Sequence, residues 1–421
     1  MFRLTAVLRN QARNASLEAV VVGAGPAGLA VVGNLLQHLP DESQQQQLWV
    51  DPSFRAGRVM AKYGEVPSNT KVDLFLQFAS ALAPFRHIVE TAARPNAITA
   101  LQGLAQDKGC ELRKAADMCL MLTEGLKSHF SEAVHQHHGK VTKAVLDKST
   151  GVWTVSMDNT DAVTSKRLVL CTGSSPISSI PANLQGSSGS RLASIHLDTA
   201  LKPTLLRASL DPNMPATVAV VGASHSAILV LMNLYNLAAT SHPHLQIKWF
   251  TRHKELRYAK QMDGWILYDN TGLKGDAAQW ARDNLDEATF SASPVSKTIA
   301  KLFTPPGAGE EQVYQAELPK CTHIVQAIGY QRDPLPALTA VEGADSEAVP
   351  LSIQHDGLSG RFFASDAKGT RTPSFVPGLY GAGIAFPECV TDPAGNVENA
   401  VGFWKFMRFL KQAVPQWVEK P

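Results

Sequence analysis

A chain of 421 residues, 44% hydrophobic and 18% charged, is long enough for two or three domains with separate cores and has the composition of an ordinary globular enzyme. A net charge of +2, with no Lys/Arg block along a helix face, gives no electrostatic case for nucleic acid, and no apolar run reaches the ~18–20 residues of a membrane span. Five scattered cysteines with no CxxC and no metal-ligand spacing argue against a disulfide framework or a thiolate metal site and suit a reducing, cytoplasmic setting.

Residues 1–17 contain Arg3, Arg9 and Arg13 and no acid, and read as an N-terminal tail, with a mitochondrial presequence as the alternative. The strand signal Ala19–Val22 then runs into Gly23-Ala24-Gly25-Pro26-Ala27-Gly28 and an apolar helical pattern through Leu36. Strand, glycine turn and helix in that order form a dinucleotide-binding fingerprint. Gly23 permits the tight turn, Gly25 lets a pyrophosphate approach the backbone, and Gly28 lets the helix lie close on the strand. The helix N-terminus offers unpaired N–H groups to the phosphates. Pro40 to Gln47 reads as a polar loop. Leu48–Asp51 reads as the second strand, and Asp51, 23 residues beyond Gly28, is placed to accept hydrogen bonds from ribose hydroxyls.

The segment 54–71 lacks periodicity. It is either a surface loop or, in a flavin site, one whose Arg58 meets a phosphate and whose Asn69 faces the flavin ring. Residues 73–126 read as helical, with breaks at Pro84 and Pro95. Val141–Leu146 and Val152–Met157 form a hairpin, and the adjacent His135, His137 and His138 read as an exposed polar turn rather than a metal site. Arg167–Gly173 is a buried strand returning to the first sheet, and 174–189 reads as a linker.

Thr217–Ala227 repeats the opening logic, with Gly222, Ser224, His225 and Ser226 in the turn. Its second strand, Gln246–Phe250, is followed by Arg252, His253 and Lys254 where an acid would favour a free ribose 2′-hydroxyl. Cations there favour a 2′-phosphate, so this half is expected to prefer NADPH, with Arg252 the leading contact. Residues 255–300 read as an irregular insertion carrying Trp265, Tyr268, Asn270 and Trp280, of the kind that reaches over an active site or forms local core. Strands are expected at Thr322–Tyr330, Arg361–Ala364 and within Gly378–Pro387, and a helix at Asn396–Val414.

GAGPAG at 23–28, CTG at 171–173, AIGY at 327–330 and GLYGAGIAF at 378–386 together resemble the flavoproteins with two dinucleotide-binding domains, nearest the N-hydroxylating and class B flavin monooxygenases. The resemblance implies an α/β fold of two Rossmann-like, three-layer domains, the NAD(P)H domain inserted into the FAD domain. The boundaries expected are 18–176 and 323–421 for FAD and 190–322 for NAD(P)H. It further implies backbone contact of Val141 with adenine, cofactor contacts at Thr172, Gly173, Gly329 and Gly383, and catalytic roles for Asn69 at the flavin face and His225 at the nicotinamide. No redox cysteine pair of the disulfide reductases is present, and neither is the FxGxxxHxxxW signature; the nearest match is Ala193–His196. Ile384 stands where those reductases carry Asp, leaving Asp366 as the nearby acid. The implied activity uses FAD, NADPH and molecular oxygen to place one oxygen atom on a small organic substrate through a flavin C4a-hydroperoxide. A flavin dehydrogenase without oxygen insertion and a regulatory protein acting through partners are the alternatives. Nothing in these patterns sets an oligomeric state.

Overall fold

The computed structural model describes residues 16–40, 47–178, 192–343, 346–366 and 368–419. The expectations for the first 15 residues, for most of the Pro40–Gln47 loop and for most of the linker lie outside them.

The chain opens with β1 (Ala19–Val22), α1 (Pro26–His38) and β2 (Gln47–Asp51). β1 is apolar on both faces because it is covered on both, as parallel strands in layered folds are. Helices α2 (Gly57–Tyr63), α3 (Val72–Ser80), α4 (Ala83–Thr91), α5 (Ala97–Gln102) and α6 (Leu112–His129) follow. The expected break at Pro84 falls between α3 and α4: Pro84 lies in the first turn of α4, where a missing N–H costs no hydrogen bond. The three histidines are not a turn either. They belong to β3 (Val134–His138), which pairs in parallel with the open edge of β2, so its polar side chains sit at the margin of the sheet. β4 (Val141–Asp147) and β5 (Val152–Met157) form the expected hairpin, extended by β6 (Val163–Ser165), and β7 (Leu168–Leu170) returns beside β1.

Ser174–Pro176, expected as the start of the linker, is β8. Beyond it come β9 (Ala193–Ser194), α7 (Leu197–Ala200), α8 (Pro203–Ala208), β10 (Ala216–Val221), α9 (His225–Thr240) and β11 (Leu245–Thr251). The 255–300 stretch is more regular than expected. It holds the small pair β12 (Lys260–Gln261) and β13 (Ile266–Leu267), then α10 (Gly275–Asn284), α11 (Glu287–Phe290) and β14 (Ile299–Phe303). After α12 (Ala308–Glu317), β15 (His323–Gln326) pairs with β10. The second unit therefore extends at least to Gln326, past the boundary at 322.

The chain then returns to the first unit through β16 (Tyr330–Arg332), β17 (Ala337–Val341), β18 (Val349–Pro350), β19 (Ile353–His355), β20 (Arg361–Ser365) and β21 (Arg371–Gly381). A helix does not begin at Asn396. β22 (Glu388–Thr391) and β23 (Val397–Ala400) form a hairpin there, and the last helix, α13 (Phe403–Glu419), starts only after Gly402, whose φ is +148°. The hairpin pairs backbone groups that the helical pattern would have paired internally.

Two sheets organise the molecule. One has the order β19-β20-β21-β7-β1-β2-β3, parallel from β21 to β3; the other, β14-β11-β10-β15-β9, is parallel throughout. The second lies in sequence between β7 and β21 of the first, an inserted Rossmann-like unit. α1 is buried along most of its length between the first sheet and α13. Buried Arg167 fastens the end of α13, donating from Nε to the Trp417 carbonyl at 3.0 Å and from Nη2 to that of Val418 at 3.0 Å while pairing with Glu18 at 2.8 Å. Val66, from the loop after α2, sits in the hydrophobic core of the second unit, so the two units share packing.

Candidate functional site

The first glycine turn has little room to change. Gly23 takes φ +103°, and a Cβ there would lie 2.3 Å from the Cys171 carbonyl oxygen; a Cβ on Gly28 would lie 1.9 Å from the Gly23 carbonyl oxygen. Gly25 differs: nothing lies within 4 Å of where its Cβ would be. That open space adjoins the N-terminus of α1, whose N-cap is Gly25 with no side chain capping it and whose first residue is Pro26. The turn thus presents backbone and uncapped N–H groups to an open cradle, the arrangement that holds a pyrophosphate.

Other expected residues gather here. A Cβ on Gly383 (φ +85°) would lie 2.6 Å from the Cβ of Ala27, so the segment after β21 closes onto the first turn of α1. Thr172 follows the carbonyl against which Gly23 packs, and its buried Oγ1 has no hydrogen-bond partner. Gly173 (φ +82°) accepts from the Asp333 N–H at 3.1 Å. Val141 opens β4, two residues beyond Gly139, which donates to the Asp51 carbonyl at 3.2 Å.

The charged candidates are already engaged. Asp51 accepts from Ala24 N at 2.8 Å through Oδ2 and from Ser53 N and Phe54 N at 2.8 Å through Oδ1. Its carboxylate holds the glycine turn. Arg58 lies in the first turn of α2, whose start leans on the turn: a Cβ on Gly57 would lie 3.1 Å from Gly25 Cα. Its guanidinium donates to Asp198 of the second unit at 2.5 Å and to the Tyr63 hydroxyl at 3.3 Å, and Tyr63 donates to the same carboxylate at 3.0 Å.

The second glycine turn borders a cleft of about 710 Å³ lined by Gly222, Ser224, Arg252, Glu310, Gln326 and Gly329 among others. Gly222 (φ +132°) repeats the role of Gly23, since a Cβ there would lie 2.3 Å from the Ala327 carbonyl oxygen. Ser224 caps α9 without a side-chain bond, and Ser226 lies in its first turn. One buried polar atom of the lining, Gln326 Oε1, lacks a hydrogen-bond partner and suits a polar ligand. Arg252 forms a side-on pair with Glu310, both contacts at 2.8 Å.

His225 is the first residue of α9, and its Nδ1 is buried without a partner. Burial, aided by the charge of Lys274, lowers its pKa to about 4, so the ring is neutral at physiological pH. Asn69 is exposed in the loop after α2 and meets α10: a Cβ on Gly275 would lie 3.7 Å from Asn69 Cα. Since His225 feels Lys274 and Asp276, both residues border the start of α10. Asp366 is remote in role, accepting from Lys368 N and Thr370 N in the tight turn between β20 and β21. Of the insertion's aromatics, Tyr268 lines the cleft, while Trp280 packs 6.4 Å from Tyr235 at the second core.

Sequence reasoning missed several residues. Glu398 of β23 accepts from the N–H groups of Asn270 (3.0 Å) and Thr271 (3.1 Å), and Lys405 of α13 pairs with Asp269 at 2.8 Å, so the insertion is tied to the first unit. No local pattern signals those pairs. The tryptophans Trp49 and Trp249 were missed although their signal was present, at matching places on the second strand of each half. Each donates its indole N–H to the first glycine of its turn. Among the described residues no cluster of three or more His, Cys, Asp or Glu is arranged to hold a metal, and no helix is long and apolar enough to cross a membrane.

A family model described as pyridine nucleotide-disulphide oxidoreductase matches residues 17–242. The chain is 49% identical over 406 residues to the monooxygenase AgnR1 of Paecilomyces divaricatus, covering 95% of this chain and 97% of that one. Among solved structures, the reduced form of ornithine hydroxylase PvdA from Pseudomonas aeruginosa matches with a TM-score of 0.57 at 14% identity, covering 96% of this chain and 99% of that one. An FAD-bound form of OTEMO matches with a TM-score of 0.50 at 12% identity, covering 96% and 98%. At such identities the likeness establishes the shared fold.

Proposed function

From its membership of the pyridine nucleotide-disulphide oxidoreductase family, to which this chain belongs, we infer that it is an FAD-dependent, NADPH-using monooxygenase that places one atom of molecular oxygen on a small organic substrate. The observation that carries this reading is the pair of glycine turns, each opening onto an uncapped helix, in a chain half identical to a named monooxygenase. That relative favours oxygen insertion over the dehydrogenase and regulatory alternatives. Disulphide chemistry is not supported: all five cysteines are free, and burial pushes the Cys171 thiol up to about 12, away from the reactive thiolate. The free thiols fit a reducing compartment such as the cytoplasm.

In this reading Gly23, Gly25, Pro26, Ala27 and Gly28 hold the FAD pyrophosphate. Asp51 fixes the turn beside the ribose, Arg58 stands next to the phosphate turn with its guanidinium paired to Asp198, Val141 meets adenine, and Thr172, Gly173 and Gly383 line the ring. Gly222, Ser224, Ser226, Arg252 and Gly329 take NADPH. When bound, the flavin supplies the redox chemistry, accepting hydride and activating oxygen. The chain binds, orients and excludes water. Neutral His225 offers an acceptor nitrogen to position the nicotinamide, and Asn69 presents an amide at the meeting of the two units.

The test is the colour and turnover of the purified protein. A yellow protein bleached by NADPH faster than by NADH, whose product carries label from ¹⁸O₂, is the expected result. Stoichiometric reduced product formed under strict anaerobiosis would replace the oxygenase reading with the dehydrogenase. A colourless chain that takes up no FAD would point to a partner-acting protein.

A further inference from the structure

We propose that Glu310 competes with the cofactor's 2′-phosphate for Arg252 and so holds the preference for NADPH over NADH below what Arg252 alone would set. The proposal rests on the NADPH reading above and adds a residue that the glycine fingerprint does not mention.

Arg252 follows directly on β11 and stands at the cleft beside the second glycine turn. Its guanidinium meets Glu310 side-on, Nε to Oε1 and Nη2 to Oε2, each at 2.8 Å. The acid is the anchored partner. Glu310 lies in the first turn of α12, where a negative charge is favoured, and its Oε1 also accepts from the Tyr314 hydroxyl at 3.0 Å. Its side chain is 12% exposed against 62% for Arg252, so the arginine is the arm that can turn. The arginine in turn holds the carboxyl below the usual carboxylate range.

The two residues bind in opposite senses. A cation at the end of the second strand suits a 2′-phosphate, whereas a carboxylate there suits a free 2′-hydroxyl and repels phosphate. Paired, they cancel in charge: a phosphate can take the side-on Nε/Nη2 edge of Arg252 only by displacing the acid that is already there, and on the remaining Nη1 side it binds against the charge of that acid. Of the other charged or ionisable groups lining the cleft, Arg257 lies 4.7 Å from the Tyr268 ring centre and His253 and Glu255 stand at the rim, while Arg252–Glu310 is the ion pair the structure shows there.

Calorimetric titration of the FAD-reconstituted protein with 2′,5′-ADP and with 5′-ADP reads that pair directly, without turnover. Glu310→Gln is expected to raise the affinity ratio for 2′,5′-ADP over 5′-ADP about tenfold, the scale of one charge-assisted pair at a partly exposed site. In an Arg252→Ala background the same change is expected to leave the ratio within about twofold. A ratio that falls in Glu310→Gln would make the acid an orienting partner of Arg252 and overturn the competition; so would a ratio that does not move. Glu310→Ala gives the same reading should the glutamine variant fold poorly. A wild type that binds NADPH, with a Glu310→Gln variant showing either contrary ratio, leaves the cofactor reading standing, whereas a wild type that binds neither NADPH nor 2′,5′-ADP overturns both.

Discussion

The indole N–H of Trp49 donates to the Gly23 carbonyl at 2.9 Å in the first unit, and that of Trp249 donates to the Gly222 carbonyl at 2.7 Å in the second. The symmetry runs further. Gly23 N donates to Val50 O and Gly222 N to Phe250 O; Cys171 N donates to Val22 O and Ala327 N to Val221 O. Both turns are therefore fixed from three sides: the second strand, the returning strand and a tryptophan. They differ in how they are finished. Gly28, which tolerates no Cβ, is matched by Ala227, and Asp51, which ties down its turn through Ala24 N, is matched in register by Thr251, followed by the Arg252–Glu310 pair. The scaffold is common to both, and the ends of the second strands differ, a carboxylate in the first unit and a paired arginine and glutamate in the second.

Substitutions that exchange those finishes test the comparison. The largest effect is expected at Gly28. Gly28→Ala places a methyl group 1.9 Å from backbone and should cost at least about 3 kcal/mol and empty the flavin site, whereas Ala227→Gly at the matching place should cost no more than about 1 kcal/mol. Flavin content and urea unfolding measure both, and a flavin-replete Gly28→Ala protein would show the turns to be less constrained than described. Next comes Arg252→Ala, expected to weaken NADPH by about 10- to 100-fold and NADH by no more than about threefold. Equal losses for the two cofactors in flavin-reduction titrations would sink the 2′-phosphate role.

Smaller and matched effects are expected at the tryptophans. Trp49→Phe and Trp249→Phe each leave a glycine carbonyl without its indole donor and should each cost about 1–3 kcal/mol in chemical unfolding. A loss at one site alone would mean that the shared scaffold is not shared in energy. A further contrast lies in pH. His225 in the second unit and His355 in the first are both lowered from 6.5 to about 4, chiefly by burial and secondarily by Lys274 and Arg332. A lowered histidine adds stability in full above pH 6.5. As the pH falls the unfolded chain takes the proton first, so that stability is lost between pH 6.5 and 4. Melting followed across this window should fall, with about one proton of uptake removed by either His→Gln change; an unchanged slope in both variants would show that the rings charge freely.

Much of this was legible in the chain. The glycine turns could be read because each requirement is local: a positive φ at Gly23, a missing Cβ at Gly28, and a helical period beginning at once. The second turn was legible by its repetition. The strand β3 was not, because it depends on the edge of β2 supplied by distant sequence; the β22–β23 hairpin has its partner close at hand, but the pattern of the segment alone pointed to a helix.

The two strand–glycine-turn–helix units, and hence the two-nucleotide architecture, follow from the sequence by itself, since periodicity and glycine placement act within a few residues. Which charges remain available to a ligand was decided only in three dimensions. Arg58 finds Asp198 across 140 residues and Arg252 finds Glu310 across 58, and the Asp51 carboxylate folds back on its own turn. A charged side chain is read in sequence as an offer to a ligand. It is freely available only where folding has not already brought it an opposite charge or a donor; elsewhere a ligand has to compete for it, as at Arg252, and no local pattern records that.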